Sequence, residues 1–420
     1  MVIAVQPRAH CAASVSATTL TTVRLPSLRH FGPHWYATVM GTAIVASAGA
    51  GLPVDVPGMT TACAVVWALS AAILAVVASA RAAHWIHHRD QARAHLFDPT
   101  VAPFYGCLSM AVLAVGIGAL TVGQDVIGES AAVAVAGTLF GVGTLIGLAA
   151  SVVVPYLMVV RQRVAPGTAS PVWLLPVVAP MVSASLGALL VPRLPAGQWR
   201  EGMLLGCYAM FGVSLLATFV ILPLVFSRLV HYGPLPLALT PTLFLVLGPL
   251  GQSTTAVNKL ADVAPSAIPA PYADGLGAFA VIYGVPVTGF ALMWLVLAAA
   301  MVTRAVRRGM PFTMGWWAFT FPVGTCVTAA ESLARHTGLV ALEWLATGLY
   351  VLLVAAWAVT GFRTLRGLYA GSLLVAPAPP LPVPSGEGPA GEAPASASEV
   401  PPAAPRSVPP APPRVTARTR

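Results

Sequence analysis

The feature that most constrains this chain is a set of ten predominantly apolar intervals that contain no Asp, Glu, Lys or Arg. The shortest has 19 residues and the longest has 31. A helix needs about 20 apolar residues to cross a bilayer, because its backbone polar groups must be satisfied inside the segment. Each interval therefore predicts one transmembrane helix. The intervals are 30–54, 56–80, 99–124, 130–160, 164–192, 202–227, 229–258, 275–303, 309–330 and 344–362.

The composition excludes the soluble classes of protein. Hydrophobic residues make up 57% of the 420 residues and charged residues only 8%, whereas about 25% of the residues in soluble domains are charged. The net charge is +9, but the basic residues are too scattered to form a face that binds nucleic acid. The prediction is an all-α membrane protein whose partners are the lipid bilayer and a small solute, and not nucleic acid.

The basic residues predict the orientation of the helices. With ten helices both termini lie on one side, and the loops and tail on that side carry 14 basic residues against 4 on the other. Because basic residues stay in the cytoplasm, we expect a multi-pass protein of the plasma (inner) membrane with both termini cytoplasmic. The predicted organisation is a cytoplasmic tail over 1–30, a ten-helix domain over 31–368 and a disordered, Pro- and Ala-rich cytoplasmic tail over 369–420.

A repeat of about seventy residues divides the chain. Five prolines recur at intervals of 70, 68, 70 and 70 residues, and each lies near the start of an odd-numbered helix, where a proline is well tolerated. The repeat predicts one helical hairpin used five times, as in transporters with internal symmetry. Chance recurrence among the 39 prolines is the alternative. The five prolines are Pro33, Pro103, Pro171, Pro241 and Pro311.

The odd-numbered helices also contain residues that break helices. Pro180, Pro249 and Pro322 lie inside the fifth, seventh and ninth intervals, and an interior proline removes a backbone hydrogen bond and kinks a helix. Irregular backbone at membrane depth is tolerated where it faces protein or a water-filled cavity. The prediction is five kinked inner helices around a central pore, enclosed by five longer outer helices.

Small polar side chains are frequent on the predicted inner helices, and such groups can replace part of the hydration shell of a solute. Packing between helices is the alternative use of the same residues. The candidate pore-lining residues are Thr38, Gly41, Thr42, Ser183, Gln252, Ser253, Thr320 and Thr325.

The chain shows no pattern that predicts catalysis, a cofactor or a metal site. No ionisable side chain lies near the middle of a predicted span, and Glu331 and Lys259 are the nearest. The five cysteines form no CxxC pattern. A membrane enzyme or redox protein is therefore disfavoured, and a non-transporting receptor that uses its Pro-rich tail remains a second rival to a transporter.

Three segments resemble one family of membrane proteins. FGPHWYATVMGTAIV at 31–45, GPLGQ at 248–252 and WWAFTFP at 316–322 are similar to motifs of the tellurite-resistance/dicarboxylate transporter family. This family includes bacterial tellurite-resistance protein A, fungal malic-acid transporters, yeast sulfite pumps and the slow anion channels of plants. The resemblance covers roughly residues 31–366, and Ala43 departs from it where a glycine is expected.

The resemblance implies a homotrimer with one pore per subunit and a phenylalanine gate on the ninth helix. Carried onto this chain the gate is Phe321, with Phe319 as the fallback. The implied function is the transport of small anions, either C4-dicarboxylates such as malate or oxyanions, with sulfite or tellurite efflux as the alternative.

Overall fold

The computed structural model describes residues 28–54, 56–162, 164–165 and 167–374, so the predicted tails lie almost wholly outside the described residues. All regular structure within the described ranges is helical. The α-helices are α1 (Tyr36–Gly51), α2 (Met59–His87), α3 (Arg89–Phe97), α4 (Tyr105–Gly118), α5 (Gln124–Ile127), α6 (Glu129–Val160), α7 (Leu174–Leu190), α8 (Gln198–Tyr232), α9 (Leu247–Val263), α10 (Ala270–Arg307), α11 (Phe321–Thr337) and α12 (Val340–Tyr369).

Five long helices, α2, α6, α8, α10 and α12, form the outside of the bundle and are called the outer helices. In the apolar core stretch of each, only 17–22% of the residues are buried. Buried positions recur three, four or seven residues apart, which places them on one narrow stripe of the helix. On α6 they are Ala132, Ala136, Gly143, Gly147, Ala150, Val154 and Leu157. The remaining apolar side chains face outward, as in a multi-pass membrane protein.

The five helices α1, α4, α7, α9 and α11 are called the inner helices, because they are buried on nearly all sides. In α1, 14 of 16 residues are buried, and the segments Ala102–Ile127 and Pro171–Arg193 are 89% and 94% buried. Burial on nearly all sides means that these helices are covered by other segments of the protein and not by lipid. The inner helices therefore form the core against which the outer helices pack.

Seven helical segments of the described chain are long and apolar enough to cross a membrane: the five outer helices, Ala102–Ile127 and Pro171–Arg193. The helices α1, α9 and α11 have 16, 17 and 17 residues, fewer than the about 20 that a bilayer requires. The inner helices α4 and α7 have 14 and 17 residues themselves and reach spanning length only with their adjoining 3₁₀ and π turns, so the structure accounts for seven of the ten predicted spans.

Each inner helix is preceded by a 3₁₀ helix. These 3₁₀ segments are Pro33–Trp35, Ala102–Phe104, Pro171–Trp173, Leu237–Val246 and Met314–Phe319. Pro33, Pro103 and Pro171 lie in the first turn of theirs, where a proline has no intrahelical hydrogen bond to lose. The last two segments are longer, with 10 and 6 residues. The helices α9 and α11 therefore begin further along the chain from their repeat proline than the other inner helices do.

Tryptophans of the outer helices satisfy the irregular backbone of the inner segments. The indole nitrogen of Trp67 donates to the carbonyl of Val115 at 3.1 Å, just before the π-helical turn Ala119–Gly123 that follows α4. The indole of Trp294 donates to the carbonyl of Leu243 at 3.0 Å, inside the longest 3₁₀ segment. Because a buried carbonyl without a partner is costly, these contacts allow irregular backbone inside the core.

Candidate functional site

The inner segments of all five repeats meet at a small central cavity with a volume of about 10 Å³, which is the space needed by a single water molecule. No acidic or basic side chain lines it. Its wall is almost wholly apolar, so the axis of the bundle is closed to ions at this level. The lining residues are Met40, Met110, Leu174, Leu175, Val178, Leu245, Gly248, Pro249, Phe321 and Pro322.

Phe321 is the aromatic side chain in this wall, and only 3% of it is exposed. Phe319 lies elsewhere: its ring packs edge-on against Phe244 at 4.9 Å and against Trp316 at 5.7 Å, and it does not line the central cavity. Of the two phenylalanines that the sequence offers as a gate, the structure brings Phe321 to the axis.

Two α-helices begin at the cavity. Leu247 is the first residue of α9 and Phe321 is the first residue of α11, and Thr320 interrupts the fifth repeat with φ −97° and ψ −78°. The N-terminus of an α-helix carries about half a positive charge, because its first N–H groups have no partner in the helix. Leu247 continues directly from the preceding 3₁₀ helix and donates its N–H to the carbonyl of Phe244, so the electropositive helix end at the apolar cavity is that of α11.

The structure corrects the predicted positions of the helix-breaking prolines. Pro322 is the second residue of α11 and Pro249 the third residue of α9, so both lie in a first turn, where the missing N–H costs little. Pro180 alone of the three lies inside an α-helix, in the middle of α7. The fourth and fifth inner segments are thus broken by a change from 3₁₀ to α-helix.

The predicted pore-lining hydroxyls bond to backbone carbonyls, and the structure places none of them in the wall of the central cavity. Each donates to the carbonyl three or four residues earlier in its own segment, which satisfies the hydroxyl without a solute. Thr38 and Thr42 face a groove between α2 and α12 instead. The six hydroxyls that do this are Thr38, Thr42, Ser183, Ser253, Thr320 and Thr325.

Gly41 and Gln252 lie at contacts between inner helices. A Cβ atom at Gly41 would lie 2.7 Å from the ring of Trp317, so glycine allows α1 to approach the start of α11 closely. Gln252 donates from Nε2 to the hydroxyl of Ser185 at 2.6 Å and links α9 to α7. These contacts follow the alternative interpretation of the polar residues, namely packing between helices.

The repeat carries a signal for the cavity wall that the polar-residue pattern does not contain. Met40, Met110, Val178 and Gly248 each lie seven residues after a repeat proline, and all four line the cavity. The fifth repeat departs from this register, since Phe321 lies ten residues after Pro311. The register of the repeat thus identifies four of the five contributions to the wall.

Two ionisable side chains are more deeply buried than the sequence suggests. Glu331 is 4% exposed and its Oε1 has no hydrogen-bond partner among the described residues. Arg81, also 4% exposed, donates to the carbonyl of Phe31 at 2.6 Å and to the hydroxyl of Tyr105 at 3.2 Å. Arg81 thereby fixes the end of α2 to the starts of the first two inner segments.

The comparison with known proteins defines the class. Residues 30–365 match the voltage-dependent anion channel (SLAC1) family, whose members are membrane transporters or channels and not enzymes. The chain belongs to this family, which confirms the resemblance to the tellurite-resistance/dicarboxylate transporters.

Relatives of this chain carry transport functions in their names. An uncharacterized transporter of Methanocaldococcus jannaschii is 26% identical over 352 residues, which are 83% of this chain and 97% of the relative. The sulfite efflux pump of Arthroderma otae is 28% identical over 340 residues, 79% of this chain and 89% of the pump. The sulfite efflux pump of Trichophyton rubrum gives the same values. The chain is therefore a multi-pass membrane transporter of the anion channel family.

Proposed function

We propose that this protein moves small anions along the axis of the inner helices, and that the Phe321 ring is the gate. The observation that carries this proposal is the apolar, water-sized cavity where all five repeats meet, with Phe321 in its wall. An apolar constriction of this size excludes water and so blocks ions, and moving one ring reopens it.

Selection for anions follows from the start of α11. This helix begins at the constriction after the break at Thr320, and its partial positive charge favours an anion over a cation. No acidic residue in the cavity wall offsets this charge. The backbone thus supplies the electropositive field at the constriction, where no hydroxyl side chain lines the wall.

Sulfite is one proposed substrate, because the fungal relatives are sulfite efflux pumps. C4-dicarboxylates such as malate are the second, and tellurite the third, from the family resemblance. An arginine would favour tight bidentate binding of a dianion, and the central cavity has none. We therefore propose low-affinity conduction in which size and field select the anion.

The proposed assembly in the membrane has ten spans in five hairpins, with both termini in the cytoplasm of the plasma membrane. The short helices α1, α9 and α11 complete their crossings with the 3₁₀ segments before them. A homotrimer with one pore per subunit is the proposed oligomer. A cysteine introduced in place of Arg93 or Arg307, which are both exposed, should not react with an impermeant thiol reagent applied outside intact cells. Labelling of both cysteines would show that the orientation is the opposite of the proposed one.

Flux into liposomes tests the function directly. Purified protein is reconstituted, and the uptake of sulfite, malate, tellurite and chloride is compared with that of potassium at matched protein content. Uptake of at least one of these anions above the protein-free level, without potassium uptake, supports the proposal. Absence of all anion uptake, from both the parent and Phe321→Ala, would favour a non-transporting receptor.

A further inference from the structure

A seam between the outer helices α2 and α12 leaves part of the inner core uncovered. A groove of about 750 Å³ follows this seam and is lined almost entirely by apolar side chains. Its floor consists of inner-segment residues, among them Trp35, Thr42 and Trp317. This seam groove shares no lining residue with the closed central cavity.

The indole nitrogen of Trp35 is shielded from the groove and has no partner among the described residues, and the other floor side chains with polar atoms form hydrogen bonds. The indole of Trp357 donates to Thr42 Oγ1 at 3.1 Å, and the indole of Trp317 donates to Thr364 Oγ1 at 3.0 Å. Thr42 in turn donates to the carbonyl of Thr38 at 2.7 Å. A groove whose accessible polar groups are satisfied makes no demand for hydrogen bonds, so the matching occupant is apolar over this length.

The length of the seam groove matches one leaflet of a bilayer. Its walls extend from Leu69 to Ala80 on α2 and from Trp357 to Leu368 on α12. At 1.5 Å per residue each wall is about 16 Å long, about half of the roughly 30 Å hydrocarbon core. The groove therefore starts near the bilayer midplane and ends where α2 and α12 reach the membrane surface.

A second cavity with two arginines lies beside the groove along α12. This cavity, of about 730 Å³, is lined by Arg363, Arg366 and Ser372, and it shares Ala358 and Phe362 with the seam groove. No acidic residue lines either cavity.

The two arginines are available to an anion. The guanidinium of Arg363 stacks on the ring of Trp316 at 4.7 Å, which positions it and leaves its N–H edge available. Arg366 is exposed and has no ion pair with a described residue. Two cations beside an apolar groove of leaflet length form a site for a molecule with an anionic head and an apolar tail.

We propose that the seam groove and the adjoining arginine cavity together bind one anionic phospholipid. One acyl chain lies along the groove between α2 and α12, and the phosphate is held by Arg363 and Arg366. A second copy of this chain is the competing occupant. The lipid is favoured because a subunit interface has no reason to stop at the bilayer midplane or to present uncompensated positive charge.

Native mass spectrometry of the purified protein tests this proposal, with phosphatidylglycerol and phosphatidylcholine of identical acyl chains as the probes. The parent should retain phosphatidylglycerol and not phosphatidylcholine. The double variant Arg363→Gln/Arg366→Gln removes the head-group contacts and should weaken retention about 30-fold. Its matched control is Arg307→Gln/Arg308→Gln, which removes two exposed arginines that line neither cavity.

A second variant fills the groove without changing charge. Gly361 lines the groove, and a Cβ atom there meets nothing within 4 Å, so Gly361→Leu should fold normally and displace the acyl chain. Gly348→Leu is its control, since Gly348 lies on the same helix, is equally unobstructed and lines neither cavity. Both test variants should lose phosphatidylglycerol while both controls retain it.

Three results would overturn the proposal. The first is retention of phosphatidylglycerol at the parent's level by either test variant. The second is equal retention of phosphatidylcholine by the parent. The third is a change in subunit number in Gly361→Leu with unchanged lipid retention, which would identify the seam groove as a contact between subunits. None of these measurements depends on transport, so the lipid proposal and the proposed function can fail independently of each other.

Discussion

Replacing Phe321 by alanine tests the gate most directly. In the structure the ring is 97% shielded and lies in the wall of a cavity that holds at most one water molecule. To open the path, the ring must leave this apolar contact, and exposing a buried phenylalanine costs about 1.5–3 kcal/mol. If that cost is the main barrier to opening, its removal increases the open fraction about 10- to 150-fold.

The assay is anion flux into liposomes at matched protein incorporation, with single-channel recording where the currents allow it. Phe321→Ala should raise flux and open probability without changing the preference for anions, because no charge is altered. Phe319→Ala is the control, since Phe319 packs on Phe244 and Trp316 away from the cavity. Equal flux through the parent and Phe321→Ala refutes the gate, and an increase in Phe319→Ala alone moves it by two residues.

Three further predictions concern the inner segments and the end of α2. Pro180→Ala should restore a hydrogen bond inside α7 and change anion flux, whereas Pro249→Ala, in the first turn of α9, should change it less; the reverse order would contradict this assignment. Gly251→Ala should destabilise the protein by about 1–3 kcal/mol, because its Cβ would lie 2.5 Å from the Thr325 backbone. A Cβ atom at Gly248 meets no atom within 4 Å, so Gly248→Ala should leave the melting temperature unchanged. Equal melting temperatures for the two variants would argue against close packing of α9 on α11. Burial, together with Arg81 and His84, lowers the pKa of His95 from 6.5 to about 4. The unfolded chain therefore binds the proton first as pH falls, and the free energy of unfolding should decrease between about pH 6.5 and 4. His95→Gln should reduce this decrease in thermal-unfolding scans, and identical pH slopes would rule out His95 as its source.

The sequence predicts the membrane class and the helical segments because both depend on local properties. A run of apolar residues without charge has one stable solution in a bilayer, so each of the ten intervals contains a helical segment. Interior prolines do not separate the inner from the outer helices, since Pro155, Pro223 and Pro286 lie inside outer helices and only Pro180 inside an inner α-helix. The outer helices add a second local signal, the small residues at three- and four-residue spacing on α6.

The direction of individual side chains depends on packing that a single sequence does not reveal. Thr38 and Thr42 are small polar residues on a predicted inner helix, which is the pattern that predicts pore lining. In the structure, however, they line the seam groove. The hydroxyl pattern is ambiguous because threonine can satisfy itself on its own helix, as Thr42 does on the carbonyl of Thr38. The apolar wall of the central cavity is not evident from the sequence, because Met40 and Met110 look like ordinary core residues. They stand out only when the five repeats are aligned.

The departure of the fifth repeat from the common register accounts for the place of Phe321, the proposed gate, in the cavity wall. In the first four repeats the residue seven positions after the proline reaches the cavity wall, and it is Met, Met, Val or Gly. In the fifth, a six-residue 3₁₀ helix ends at Phe319 and Thr320 interrupts the chain, so the wall position passes to Phe321 at the start of α11. A side chain in the first turn of a helix is less enclosed by neighbouring turns of that helix than one in its middle. The break at Thr320 thus brings the largest side chain of the wall to the cavity, whereas the second and fourth inner segments accept hydrogen bonds from Trp67 and Trp294 of the outer helices.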